Sequence, residues 1–110
     1  MATVTEILTL SKTVVQQVRS VEPPLTFTIA VEWVPEDGIY LAKCPEMQAI
    51  GWGQTIEEAL DELADELWDF ANVLVETAEK NPDVRDPSLP YARFLLSLGS
   101  EAGIRKFLGL

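Results

Sequence analysis

The segment from Cys44 to Leu60 restricts the possible folds more than any other part of the chain. It runs Cys44-Pro45-Glu46-Met47-Gln48-Ala49-Ile50-Gly51-Trp52-Gly53-Gln54-Thr55-Ile56-Glu57-Glu58-Ala59-Leu60. It reads as a strand end, a loop, a short strand and an abrupt helix start. Thr55 is placed to accept a hydrogen bond from the Glu58 backbone N–H. The Glu58 carboxylate is placed to reach back to the Thr55 N–H, which completes a capping box. From Ile56 onward, Ala59, Leu60, Leu63, Leu67, Phe70, Ala71, Leu74 and Ala78 keep a helical period, so a helix is predicted over 56–78. Its opposite face carries Glu57, Asp61, Glu62, Asp65, Glu66 and Asp69. Asn81-Pro82 ends it, with Lys80 set against the C-terminal dipole.

Upstream, Leu25, Phe27, Ile29, Val31 and Trp33 alternate with Thr26, Thr28, Ala30 and Glu32. Period-2 alternation predicts a half-buried strand over 25–34. Pro35-Glu36-Asp37-Gly38 supplies a turn, and 39–44 return as the second strand of a hairpin. Residues 48–53 are read as a short third strand flanked by glycines. Residues 3–20 are read as a helix, because Val4, Ile7, Leu8, Ser11, Val14, Val15 and Val18 form one stripe and Thr3 and Glu6 repeat the capping spacing. Val21-Glu22-Pro23-Pro24 ends that segment. After a linker at 83–88, two short helices are expected at 89–98 and 101–108. Together these elements make one α+β domain over 1–110: an N-terminal helix and proline linker at 1–24, a core at 25–80 and a helical segment at 81–110. The core is a small three-stranded antiparallel sheet with one long helix packed on it.

Composition narrows the chemistry. The chain has 47% apolar and 24% charged residues, which suits a packed core. Its 18 acidic and 8 basic residues give a net charge of -10, which phosphate backbones repel. Near the C-terminus, Arg85, Arg93, Arg105 and Lys106 are offset by Asp83, Asp86 and Glu101, so no basic stripe forms. Direct nucleic-acid binding is not expected. The absence of histidine removes His-based triads, His metal sites and the commonest general base. A nuclease of RNase H type needs several carboxylates converging on metal ions. Here the strands offer Glu32 alone, with Glu36, Asp37 and Glu46 in turns, so catalysis, a metal site and a cofactor are not expected. Cys44 is the sole cysteine and reads as a small buried residue rather than a nucleophile. No apolar run reaches membrane-spanning length and no signal-peptide pattern opens the chain, so a cytoplasmic location is expected.

Gly38 to about Phe70, with 27–34 as a first strand, resembles the N-terminal domain of the HicB antitoxin family. The resemblance is carried by Cys44-Pro45-Glu46-Met47 after a hairpin, followed by Gly53-Gln54-Thr55-Ile56-Glu57-Glu58-Ala59 opening a long helix. It implies a partial RNase H-like fold, a mainly antiparallel sheet of three or four strands with a helix across one face. It also implies a non-enzymatic antitoxin that binds a small basic RNA-cleaving toxin of the HicA type, or a stand-alone relative of another role. The alternatives are an oligomeric scaffold without a toxin partner and, further off, a nuclease-like enzyme.

The candidate contact residues follow from the pattern. Asp61, Glu62, Asp65 and Asp69 on the helix could meet a basic partner, or form a solvated face. Trp52, between Gly51 and Gly53, is read as a sheet-to-helix packing residue, with an exposed interface contact as the alternative. Trp68 sits at the edge of the helix's apolar stripe. Tyr40 is read as covering the sheet face away from Ile39. Thr55 and Glu58 are structural caps. Open strand edges and surplus apolar surface lead to an expected homodimer or higher homo-oligomer.

Overall fold

The computed structural model describes residues 5–14, 25–83 and 85–109, with side chains from Leu25 onward. Its elements are β1 (Thr5–Val14), β2 (Leu25–Val34), β3 (Ile39–Cys44), a short 3-10 turn (Pro45–Met47), β4 (Ala49–Gly53), α1 (Ile56–Lys80), α2 (Leu89–Ser97) and α3 (Glu101–Leu108). The fold is α+β, with an antiparallel sheet in the order β1-β2-β3-β4 and the helices packed on one of its faces.

Each stretch expected as a strand forms one, and the long helix begins at Ile56 as expected, extending to Lys80. Residues 5–14 correct the reading of 3–20 as a helix, because they add a strand beside β2. This stretch is rich in β-branched residues, which suit a pleated strand better than a helix. The pairing steps from Glu6↔Glu32 to Leu8↔Val31, so Ile7 is an extra residue, a bulge. The rest of the expected N-terminal helix and the Val21–Pro24 linker lie outside the described residues.

Alternation in β2 buries Leu25, Phe27, Ile29 and Val31. Ala42 and Cys44 of β3 and Ala49 of β4 continue that buried face. α1 supplies Ala59, Leu63, Ala64, Leu67 and Ala71, while α2 and α3 add Ala92, Leu95, Ile104 and Leu108. Phe27 is wholly buried and lies at the centre of an aromatic group. Its ring centroid is 5.0 Å from that of Tyr91, 5.8 Å from Phe94 and 5.6 Å from Phe107. These contacts dock α2 and α3 over β2, beside α1.

The Cys-Pro-Glu segment secures the place where β3 stops. β3 pairs with β2 only from Ala30 to Val34, so the first half of β2 has no strand on that side. The Thr28 N–H donates to Glu46 Oε1 at 2.7 Å instead, and the Thr26 N–H reaches the Tyr91 hydroxyl at 3.4 Å. Ser88 Oγ donates to the Glu46 carbonyl at 2.9 Å and ties the start of α2 to the same turn. A carboxylate thus stands in for a missing strand. Glu46→Ala is expected to cost about 2 kcal/mol, because a half-buried backbone donor loses a charged acceptor. A denaturant midpoint equal to the parent's would contradict this role.

The cap on α1 is as expected at Thr55, whose Oγ1 accepts from Glu58 N–H at 3.0 Å. The reciprocal bond differs by one residue: Glu58 Oε2 accepts from the Gln54 N–H at 2.9 Å rather than from Thr55. Thr55→Ala should lower stability by about 1 kcal/mol in denaturant unfolding.

Candidate interaction surface

β4 has two unlike faces, and their difference defines the site. Ala49 and Gly51 are buried and Gly53 is half-buried, whereas Ile50 and Trp52 are 54% and 58% exposed. The buried face lies directly against α1. A Cβ on Gly51 would sit 2.3 Å from Leu63 N, 2.7 Å from Ala59 O and 2.8 Å from Glu62 C. One on Gly53 would sit 2.5 Å from Glu58 Cβ and 2.8 Å from Ala59 N. Only glycine allows the helix backbone this close to the strand.

Trp52 therefore does not pack between sheet and helix, as the sequence reading favoured. The glycines take that place, and strand alternation turns Trp52 to the opposite face. There it pairs across the strands with Leu41, which pairs with Glu32; Ile50 pairs with Lys43, and Ile39 with Val34. Lys43 Nζ lies 2.8 Å from Glu32 Oε1, a diagonal ion pair among apolar neighbours. Among the described residues no helix packs on this outer face.

The acidic residues of α1 between Asp61 and Asp69 divide into two groups. Asp61 and Asp65 meet α3: Arg105 Nε is 3.6 Å from Asp61 Oδ1, and Arg105 Nη2 is 3.9 Å from Asp65 Oδ1. Arg105 Nη2 also donates to Glu101 Oε1 at 2.6 Å. The Asp61 contact is an ion pair too long for a hydrogen bond, which leaves the solvent-sealed Nε without a hydrogen-bond acceptor. Hydrogen bonding to the Asp65 carboxylate, with burial and the Asp65 charge adding to it, raises the Glu101 pKa, while Arg105 pulls it down. Glu62, Glu66 and Asp69 form the second group and are exposed, Asp69 lying near enough to α3 for its charge also to raise the Glu101 pKa. Their i, i+4, i+7 spacing places them on one flank of α1.

Trp68 is half-buried against the core, and its carbonyl accepts from Asn72 Nδ2 at 2.9 Å. Tyr40 also packs partly on the core, 4.8 Å from Trp33 between ring centroids. Of the candidate contacts, Trp52, Glu62 and Asp69 are thus presented to solvent, Asp61 and Asp65 are engaged by Arg105, and Trp68 and Tyr40 are largely structural. Ile50 and Glu66 join the exposed set, with Leu41 half-buried beside Trp52. The alternation of Ile50 and Trp52 with small residues already carried that information for Ile50.

Cys44 is fully buried. Burial, with the nearby Glu46 charge, pushes its thiol up from the ordinary 9.0 to about 12. The unfolded chain ionises first, so this thiol's contribution to stability falls as pH rises from about 9 toward 12. A thiol-specific disulfide reagent at pH 8 should leave the native protein unmodified and titrate one thiol after unfolding.

Among the described residues no group of three histidine, cysteine or carboxylate side chains converges to hold a metal ion, and no helix is long and apolar enough to cross a membrane. No family model matches the chain, and neither the curated proteins nor the solved structures contain a match.

Proposed function

We propose that this is a non-enzymatic, cytoplasmic, HicB-like binding protein that sequesters a small basic RNA-cleaving toxin of the HicA type. The observation that carries the reading is the pairing of an exposed apolar strand face, Ile50 and Trp52, with an acidic flank, Glu62, Glu66 and Asp69, on the helix seated above that strand. Apolar anchors provide binding energy, and the acidic flank provides steering and selection for a basic partner. The net charge of -10 acts in the same direction at longer range.

The test is co-expression with a small, basic, double-stranded-RNA-binding-like toxin encoded beside this gene. Complex formation and loss of RNA cleavage are the expected results. A toxin that stays free and active in the presence of excess protein would overturn the reading. A second reading, an oligomeric scaffold, draws on the same Ile50–Trp52 patch, which a second copy could cover by a two-fold stack of outer faces. Light scattering across a dilution series separates the two: a stable dimer indifferent to toxin favours the scaffold.

A further inference from the structure

We propose that the free edge of β4 takes up an extended segment of the partner as a fifth strand, and that this strand alternates basic and apolar residues. The inference rests on the binding-protein reading and specifies its mode and the partner's chemistry.

Among the described residues, no strand pairs with β4 on the side away from β3. An edge strand presents alternate backbone N–H and C=O groups that a further strand can satisfy. The position beyond β4 has a defined ceiling and floor. Gly51 lies beneath the backbone of Ala59, Glu62 and Leu63, so α1 sits directly over β4. The helix side toward α3 is marked by Asp61 and Asp65 on Arg105. Glu62 and Glu66 are exposed, and helical spacing puts them on the flank of α1 away from that side, toward the open edge of β4. On the opposite sheet face, Ile50 and Trp52 flank the same edge. Successive residues of an added strand would point in turn to Glu62 and Glu66 and to Ile50 and Trp52.

A second copy does not fit this edge. Two β4 strands paired about a two-fold axis would lie about 4.8 Å apart. Their α1 helices sit directly above them and need about 8–10 Å between axes. The same pairing would bring Glu62 and Glu66 of both copies together. A helix-free basic segment meets neither obstacle.

Three capped ten-residue peptides test the proposal: one alternating lysine and valine, one alternating glutamate and valine, and the lysine peptide methylated on alternate backbone nitrogens. Amide hydrogen exchange and tryptophan fluorescence titration are the readouts. The lysine peptide should bind, slow exchange at amides within 49–53, and weaken with salt. The glutamate peptide should bind at least about tenfold more weakly, and the methylated peptide should not bind. The double variant Glu62→Lys, Glu66→Lys should melt like the parent and lose about tenfold in affinity for the lysine peptide. Equal binding of the methylated peptide, or exchange in 49–53 that does not change, overturns strand addition. Protection of β4 by the peptide without any toxin complex removes the antitoxin reading and leaves the strand site standing. A toxin complex with β4 unprotected does the reverse.

Discussion

Gly51→Ala is expected to destabilise the protein by about 3 kcal/mol, the upper end of the usual cost of overpacking. The added methyl would lie within 3 Å of three helix backbone atoms, at Leu63, Ala59 and Glu62. Backbone inside a helix cannot step aside as the end of a side chain can, so α1 would have to lift from β4. Removing the large neighbour should have the opposite profile. Trp52→Ser deletes an exposed side chain and should change stability by no more than about 0.5 kcal/mol. Denaturant unfolding of the two variants side by side checks the prediction. If Trp52→Ser proved the more damaging, the assignment of the two faces of β4 would be reversed.

Phe27→Ala should have the largest effect of any single truncation, about 4 kcal/mol. The residue is wholly buried and touches rings from both C-terminal helices. Its loss would leave a cavity where β2, α2 and α3 meet. A melting temperature lower by roughly 15–25 °C is expected for a domain of this size. Phe94→Leu, at a half-buried position on the edge of the group, should cost much less. Equal effects from the two changes would mean that Phe27 is not the organising contact.

Much of the architecture was legible because local and long-range preferences agree in it. The alternation at 25–34, the Thr55 cap and the apolar stripe from Ile56 each point to one element, and tertiary packing keeps all three. β1 was misread where two periods overlap. Leu8, Leu10 and Val14 alternate with Thr9, Ser11 and Thr13, but the extra residue at Ile7 shifts the phase and joins the apolar positions into a helix-like stripe. Trp52 was misread because its bulk was weighed ahead of its glycine neighbours. The face made by Ala49, Gly51 and Gly53 is the one that admits a helix backbone.

Other features depend on distant register and left no local trace. Glu46 has a structural role only because β3 ends at Cys44 while β2 runs on to expose the Thr28 N–H. Likewise, the acidic face of α1 looks uniform in sequence. Its division into an Arg105-bound part and an exposed flank appears only when α3 is docked.

The central claim is that β4 turns its glycines to the helix and its tryptophan to solvent, on the surface proposed to receive a basic partner. A variant with Trp33→Phe and Trp68→Phe leaves Trp52 as the single tryptophan, and its fluorescence with acrylamide quenching tests the claim directly. The free protein should show solvent-like emission and ready quenching, and the complex with a basic toxin should show blue-shifted emission and protection. A blue-shifted, poorly quenched Trp52 in the free monomer would contradict the account.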